Sequence, residues 1–192
     1  MATLELAATK GLGNVSTNMI ADRVGIKKPS LYKHFTSKEE IVQQMYEYLR
    51  EKAKENTNVK PMDYKVVFQG KTAFDILKMA VENYMKMTRD SNMMMLYKVI
   101  YSERSISTVA AEIMAEETEK MILATKQMFY ALQIHGLLNF RDPDMSALTF
   151  VMTIHGLMEY EIDRAFGSGK EETNNKIIDY LKWFCKENAA NA

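Results

Sequence analysis

Apolar side chains recur along this chain at the three- and four-residue spacing of helices, and no segment reads as a strand. Leu4, Ala7 and Ala8 mark one face of a short first helix over about residues 2 to 10, which Gly11 and Gly13 stop. Ser16 or Thr17 can accept a hydrogen bond from the exposed amides of a first turn. A second helix is therefore predicted to start there and to run through Ile20 and Val24 to Gly25, which permits a tight left-handed turn. Pro29 is tolerated where a helix begins, so a third short helix is predicted from Pro29 to Phe35, with Leu31 and Phe35 facing inward. Ser37 followed by Lys38, Glu39 and Glu40 forms a capping box, and Ile41, Val42, Met45 and Leu49 mark the stripe of a long fourth helix ending near Asn56.

The segment from Asn56 to Gly70 reads as a linker. Beyond it, helical patterns cover about 71 to 89, 91 to 103, 105 to 135, 143 to 166 and 171 to 188. They are broken at His135-Gly136, Asp142-Pro143 and Gly167-Ser168-Gly169, with no internal repeat. The predicted fold class is all-α, with an N-terminal three-helix helix-turn-helix module over residues 1–50, through the start of the fourth helix, and a larger helical domain over 51–192.

Composition supports that reading: three prolines and eight glycines punctuate a chain that is 47% hydrophobic and 26% charged, ordinary for a globular helical protein. Cys185 stands alone, so no intrachain disulfide can form, and the expected compartment is the cytoplasm. No apolar run approaches the roughly 18 to 20 residues of a membrane span, and no signal pattern opens the chain, so no membrane partner is expected. Net charge is zero, yet residues 1 to 60 carry ten Lys/Arg against seven Asp/Glu. Arg23, Lys27, Lys28, Lys33 and Lys38 follow one another with no acidic residue between Asp22 and Glu39, concentrating positive potential on one stretch. Charge alone is equally compatible with a solvated surface.

The stretch STNMIADRVGIKKPSLYKHFTSKEEIV, residues 16 to 42, has the helix, glycine turn and second helix that present an exposed helix to a DNA major groove. It closely resembles the DNA-binding module of the tetracycline-repressor (TetR) family through Ile20-Ala21, Gly25, Leu31-Tyr32, His34-Phe35 and Ser37-Lys38-Glu39. The specific resemblance covers about residues 4 to 50. The rest of the chain matches the family in length and helix order, so no effector site is carried over from it. Family members usually have several more residues before the Leu-Glu-Leu portion of the first helix, so an upstream start with a basic arm is expected. The resemblance implies a dimeric repressor of double-stranded operator DNA, released by a small-molecule effector held in residues 51–192.

On this reading Lys27, Lys28, Pro29, Ser30, Tyr32, Lys33 and His34 belong to the outer face of the third helix or its leading turn and are candidates for DNA contact. Lys28 and Lys33 can donate to guanine edges or to phosphate. Tyr32 and His34 suit phosphate contact or packing between helices. Thr17 and Asn18 at the start of the second helix, and Lys38 at the start of the fourth, fit phosphate clamps at positive helix ends.

Sixteen methionines cluster largely on the middle helices, where flexible thioethers suit an adaptable pocket or an ordinary core equally. The family resemblance implies a cavity there. Candidate lining residues are Phe74, Tyr84, Met94, Tyr97 and Tyr101, followed by Met121, Met128, Phe129 and His155; their apolar character points to a mostly apolar effector. His155 also reads as a core or interface histidine. The last two helices carry wide apolar stripes, Leu148, Val151, Met152 and His155 on one and Ile177, Leu181 and Phe184 on the other, predicted to pair across a two-fold axis. Cys185 is then expected to be buried or half-buried and inert.

An all-α enzyme or carrier is the rival class, and its signatures are absent: no His-Glu-x-x-His, Glu-x-x-His, Gly-x-Ser-x-Gly or Walker loop occurs. No catalysis, cofactor or metal is expected. A constitutive DNA-binding or architectural protein without effector is the other alternative.

Overall fold

Capping chemistry sets where the first helices begin and end. In the computed structural model, which describes residues 1–56, 63–89, 91–168 and 176–190, helix α1 covers Ala2–Lys10 and leads through one 3-10 turn, Leu12–Asn14, into α2, Thr17–Val24. Ser16 caps α2, its hydroxyl oxygen accepting from the Met19 amide at 3.3 Å. At the far end Gly25 takes a φ of +79°, and the Gly25 and Ile26 amides donate to the carbonyls of Asp22 and Ala21 at 3.1 and 3.0 Å. This is the Schellman arrangement, with Ile26 packed back onto the core.

Helix α3 covers Lys28–Leu31, shorter than the predicted Pro29–Phe35. Beyond Leu31 the bonds tighten to three-residue spacing, Lys33 to Ser30 and His34 to Leu31, and a single four-residue bond from the Phe35 amide to the Leu31 carbonyl at 3.1 Å closes the turn. Helix α4, Lys38–Asn56, starts on the expected cap: Ser37 Oγ accepts from the Glu40 amide at 3.2 Å, and the Glu40 carboxylate accepts from the Thr36 amide and hydroxyl. Those bonds from Thr36 hold the Glu40 carboxyl below its usual range.

The expected linker is not bare. Within it Tyr64–Phe68 forms a short helix, α5, started by the Asp63 carboxylate on the Lys65 amide, and its Phe68 is buried. Residues 57–62 of that linker lie outside the described residues. Next come α6 (Ala73–Arg89), α7 (Ser91–Glu103), α8 (Thr108–Ile134), α9 (Pro143–Ser168) and α10 (Lys176–Glu187). Thr72 and Asp75 cap α6 reciprocally, at 3.1 Å for the Thr72 amide and 3.2 Å for the Asp75 amide. The predicted opening of the last helix at residues 171–175 lies outside the described residues. Among the described residues β-structure is limited to one isolated antiparallel bridge, Leu138 with Ala189. The fold is all-α.

The chain divides into two compact units, Met1–Lys60 with Lys86–Glu117, and Pro61–Met85 with Thr118–Ala192. The first is built on Leu4, Ile20, Leu31, Tyr46 and Leu49 from the N-terminal helices together with Leu96, Val99, Ile100 and Ile113 from α7 and the start of α8. The second is built on an aromatic cluster: Phe129 stacks on Phe140 at 4.6 Å, and Phe150 and Phe184 meet Phe129 at 5.3 and 5.5 Å. Among the described residues no helix is long and apolar enough to cross a membrane.

This second core corrects the expected subunit interface. Ile177, Leu181 and Phe184 are buried in the core of their own unit, and Val151 is buried too, all at most 5% exposed, so they present no surface to a second copy. The stripes looked surplus to a monomer because the aromatic residues that cover them, Phe129 and Phe140, lie far away in sequence. Leu148 and His155 are half-buried. The apolar residues left outside on α9 and α10 include Met152, Ile162 and Trp183, at 47%, 66% and 55% exposure.

Leu181 is fully buried, so Leu181→Ala is expected to lower unfolding stability by about 2 to 5 kcal/mol, read from urea denaturation. A loss under about 1 kcal/mol would show that the α10 site collapses around the smaller side chain.

Candidate nucleic-acid interface

The helix-turn-helix separates its side chains cleanly into an inner and an outer set. Ile20, Ala21 and Leu31 are buried, and Phe35 packs against the same core. Asn18, Lys27, Lys28, Pro29, Tyr32, Lys33 and His34 are exposed, and Ser30 is half-buried. Gly25 makes this possible, because its left-handed backbone reverses the chain while the amides at the turn stay bonded.

Electrostatics narrow the basic run. The Arg23 guanidinium donates to the Glu5 carboxylate, with Nε at 2.8 Å, so its charge is paired across α1 and α2. Lys27, Lys28 and Lys33 form no ion pair among the described residues and remain available cations. The Lys28 ammonium lies 5.9 Å from the centre of the Tyr32 ring.

Two expected phosphate contacts read differently in the structure. Lys38 Nζ donates to the Leu12 carbonyl at 3.2 Å, so this lysine latches the start of α4 to the turn after α1 instead of standing free. Thr17 is buried and its hydroxyl accepts from Tyr32 Oη at 3.4 Å, a contact between α2 and the turn after α3. Neither pairing leaves a mark in sequence, since the partners lie 26 and 15 residues away.

The candidate effector residues are divided between the units. Met94, Tyr97 and Tyr101 fall in the first, where Met94 is exposed and the Arg104 guanidinium stacks 4.3 Å from the Tyr101 ring. Phe74, Tyr84, Met121, Met128, Phe129 and His155 fall in the second. Phe129 is wholly buried in the aromatic core, with Phe74 and Met128 packed against it. Tyr84 and His155 are brought together, Oη to Nε2 at 3.0 Å with their rings stacked at 5.7 Å. Burial pushes the His155 imidazole below its ordinary range and so favours a neutral ring, while the nearby Glu159 carboxylate opposes that shift. Cys185 is half-buried, and burial pushes its thiol up to about 11, so it stays protonated.

None of the nine candidates lines either of two depressions formed by described residues. One, of about 320 Å³, lies in the first unit between the start of α4 and the α7–α8 connection. The other, of about 330 Å³, lies in the second unit against Phe68 and His135, whose rings meet edge to face at 5.5 Å.

Comparison with known families joins these observations. The model for bacterial regulatory proteins of the tetR family matches residues 1–45, and the model for the AefR-like transcriptional repressor C-terminal domain matches residues 75–182. The chain belongs to the TetR family. It is a DNA-binding transcription regulator and not an enzyme; TetR-family proteins bind operator DNA as dimers with small-molecule effectors. No curated protein matches the chain.

Solved TetR-like structures share the fold. A protein from Saccharomonospora viridis, described as a transcriptional regulator in complex with choline, is 17% identical, with a TM-score of 0.68 over 100% of this chain and 95% of that one. A protein from Mesorhizobium loti MAFF303099, described as a TetR-family regulator, is 18% identical, with a TM-score of 0.61 over 97% and 90%. One from Clostridium perfringens, described as a fatty acid metabolism regulator, is 20% identical, with a TM-score of 0.56 over 100% and 97%.

Proposed function

We propose that this TetR-family chain is a cytoplasmic repressor that reads operator DNA with α3 and its flanks and is released by a small, mostly apolar effector. The observation that carries the DNA-reading half is the cluster of exposed, unpaired cations Lys27, Lys28 and Lys33 on the outer face of a helix-turn-helix whose inner face is fully packed. Lys28 and Lys33 serve as base or phosphate donors, with Asn18, Pro29, Ser30, Tyr32 and His34 beside them. Residues 1–50 act as the DNA-reading segment and residues 51–192 as the effector and dimerisation domain.

Dimerisation would set two recognition helices about one DNA turn apart, roughly 34 to 36 Å. The face assigned to it is the outer side of α9 and α10, where Met152, Ile162 and Trp183 are exposed, with Leu148 and His155 at its half-buried edge. For the effector, the support is the apolar composition of the second unit and the names of similar proteins, one in complex with choline and one tied to fatty acid metabolism. The Tyr84–His155 pair offers a polar handle within that apolar surrounding.

Lys33→Ala is expected to weaken binding to operator recovered from a random DNA pool and to reduce the log–log salt slope by about one, as for a lost phosphate contact, while Lys38→Ala leaves the slope unchanged. The reverse pattern, measured by fluorescence anisotropy across salt concentrations, would exchange the two roles. For the dimer, the double variant Met152→Glu with Trp183→Glu should sediment as a folded monomer. A folded dimer would place the interface on another face. Release is tested with decanoate as an apolar probe: its binding should cut operator affinity by about 5- to 150-fold, and operator should cut decanoate affinity by the same factor. Equal probe affinity with and without operator, or no binding of the probe, rules out induction by this class of effector.

A further inference from the structure

On the outer side of the helix-turn-helix the fold puts three exposed lysines in different places. Lys28 is the first residue of α3, Lys27 precedes it on extended backbone, and Lys33 lies in the turn beyond Leu31, where α3 has ended. A recognition helix lies in the major groove with its N-terminal residues against the base edges. Of the three lysines, Lys28 is therefore the one carried to the floor of the groove. It is also supported there. Its ammonium lies 5.9 Å from the centre of the Tyr32 ring, four residues on, and the Tyr32 hydroxyl donates to the Thr17 hydroxyl at 3.4 Å. Thr17 is buried on α2, so the ring is tied at one end to the packed part of the module and meets the cation with its face. A lysine already held along a ring gives up less side-chain freedom on meeting a single base than one that moves freely in solvent.

The chemistry of this outer face selects the base. Lys27, Lys28 and Lys33 can only donate, Pro29 has no polar side chain, and no Asp, Glu, Asn or Gln stands between Asp22 and Glu39. In the major groove adenine is read by a paired donor and acceptor, and cytosine by an acceptor. Guanine instead presents two adjacent acceptors, O6 and N7. A side chain that only donates fits guanine best.

We infer that Lys28, held against Tyr32, reads one guanine in each operator half-site through O6 and N7, while Lys27 and Lys33 meet phosphates whatever the sequence. Tyr32 is then a positioning residue that acts through Lys28. This selectivity rests on the DNA-reading role proposed above, to which it adds the base and the residue that chooses it.

The test takes operator recovered from a random DNA pool with the full chain and replaces each guanine in turn by 7-deazaguanine, which pairs normally but lacks the N7 acceptor. At one guanine per half-site the replacement should weaken binding about tenfold, the scale of one base contact. Lys28→Ala should bind both DNAs alike, and Lys28→Gln should move the preferred base at that position from guanine to adenine. Lys27→Ala should lose affinity for every sequence by one factor and keep the tenfold penalty. Tyr32→Leu should cut the penalty to about threefold, the scale of a lost ring contact, with Tyr32→Phe nearer to the unaltered chain. That ratio reports positioning, because a merely structural loss lowers affinity for both DNAs equally. If no guanine responds, if the penalty persists undiminished in Lys28→Ala or Tyr32→Leu, or if Lys28→Gln still prefers guanine, the assignment of Lys28 falls and the DNA-reading role stands. A pool with no enriched sequence overturns both.

Discussion

A helix that reads a groove must be held by one face only, and here that condition rests on the backbone at Gly25. Its φ of +79° lets the amides of Gly25 and Ile26 close the end of α2 on the carbonyls of Asp22 and Ala21. A side chain at Gly25 would bring the cost of a left-handed conformation, on the order of 1 kcal/mol, into a turn with no other way to satisfy those groups. With the turn fixed, Leu31 joins the core that holds Leu4, Ile20 and Ala21, and Lys27, Lys28 and Lys33 stay outside it. The cations are left to meet DNA because nothing in the fold requires them.

The DNA-reading helices do not form a compact unit alone. Leu96, Val99, Ile100, Ala110 and Ile113, from α7 and the start of α8, share their core, so a shift of those elements is felt by α1 and α4. Arg50 on α4 reinforces the joint, its guanidinium 3.4 Å from both Glu112 and Glu116. Such partly exposed pairs are worth about 0 to 1 kcal/mol each, so they set orientation more than stability. The stability comes from the apolar contact. A few side chains on α7 and the start of α8 therefore bear directly on the core shared with the helix that leaves the helix-turn-helix.

The second unit solves a different problem. Its aromatic cluster consumes the inner faces of α9 and α10 almost completely, and Phe184 alone meets Phe129, Phe140, Phe150 and Tyr180. Close packing of this kind is rimmed by the flexible side chains of Met85, Met128 and Met158, which pack around the core half-buried. The outer faces of α9 and α10 keep Met152, Ile162 and Trp183 exposed.

Much of this was legible in the sequence. Helical spacing gave the all-α class; Ser16, Gly25, Ser37 and Glu40 marked helix ends because capping is local chemistry, written within four residues. The family resemblance was carried by the same short stretch. Tertiary structure decided what depends on partners far along the chain: that Lys38 bonds Leu12, that Arg23 pairs with Glu5, and that Thr17 meets Tyr32. It also turned Leu181 and Phe184 inward, since an apolar stripe states that a face is covered without saying by what. Helix α5 escaped notice because five residues carry too little periodicity to stand out from a linker. Sequence fixes local geometry through bonds between near neighbours, while the covering of each face is settled only when distant segments compete for it.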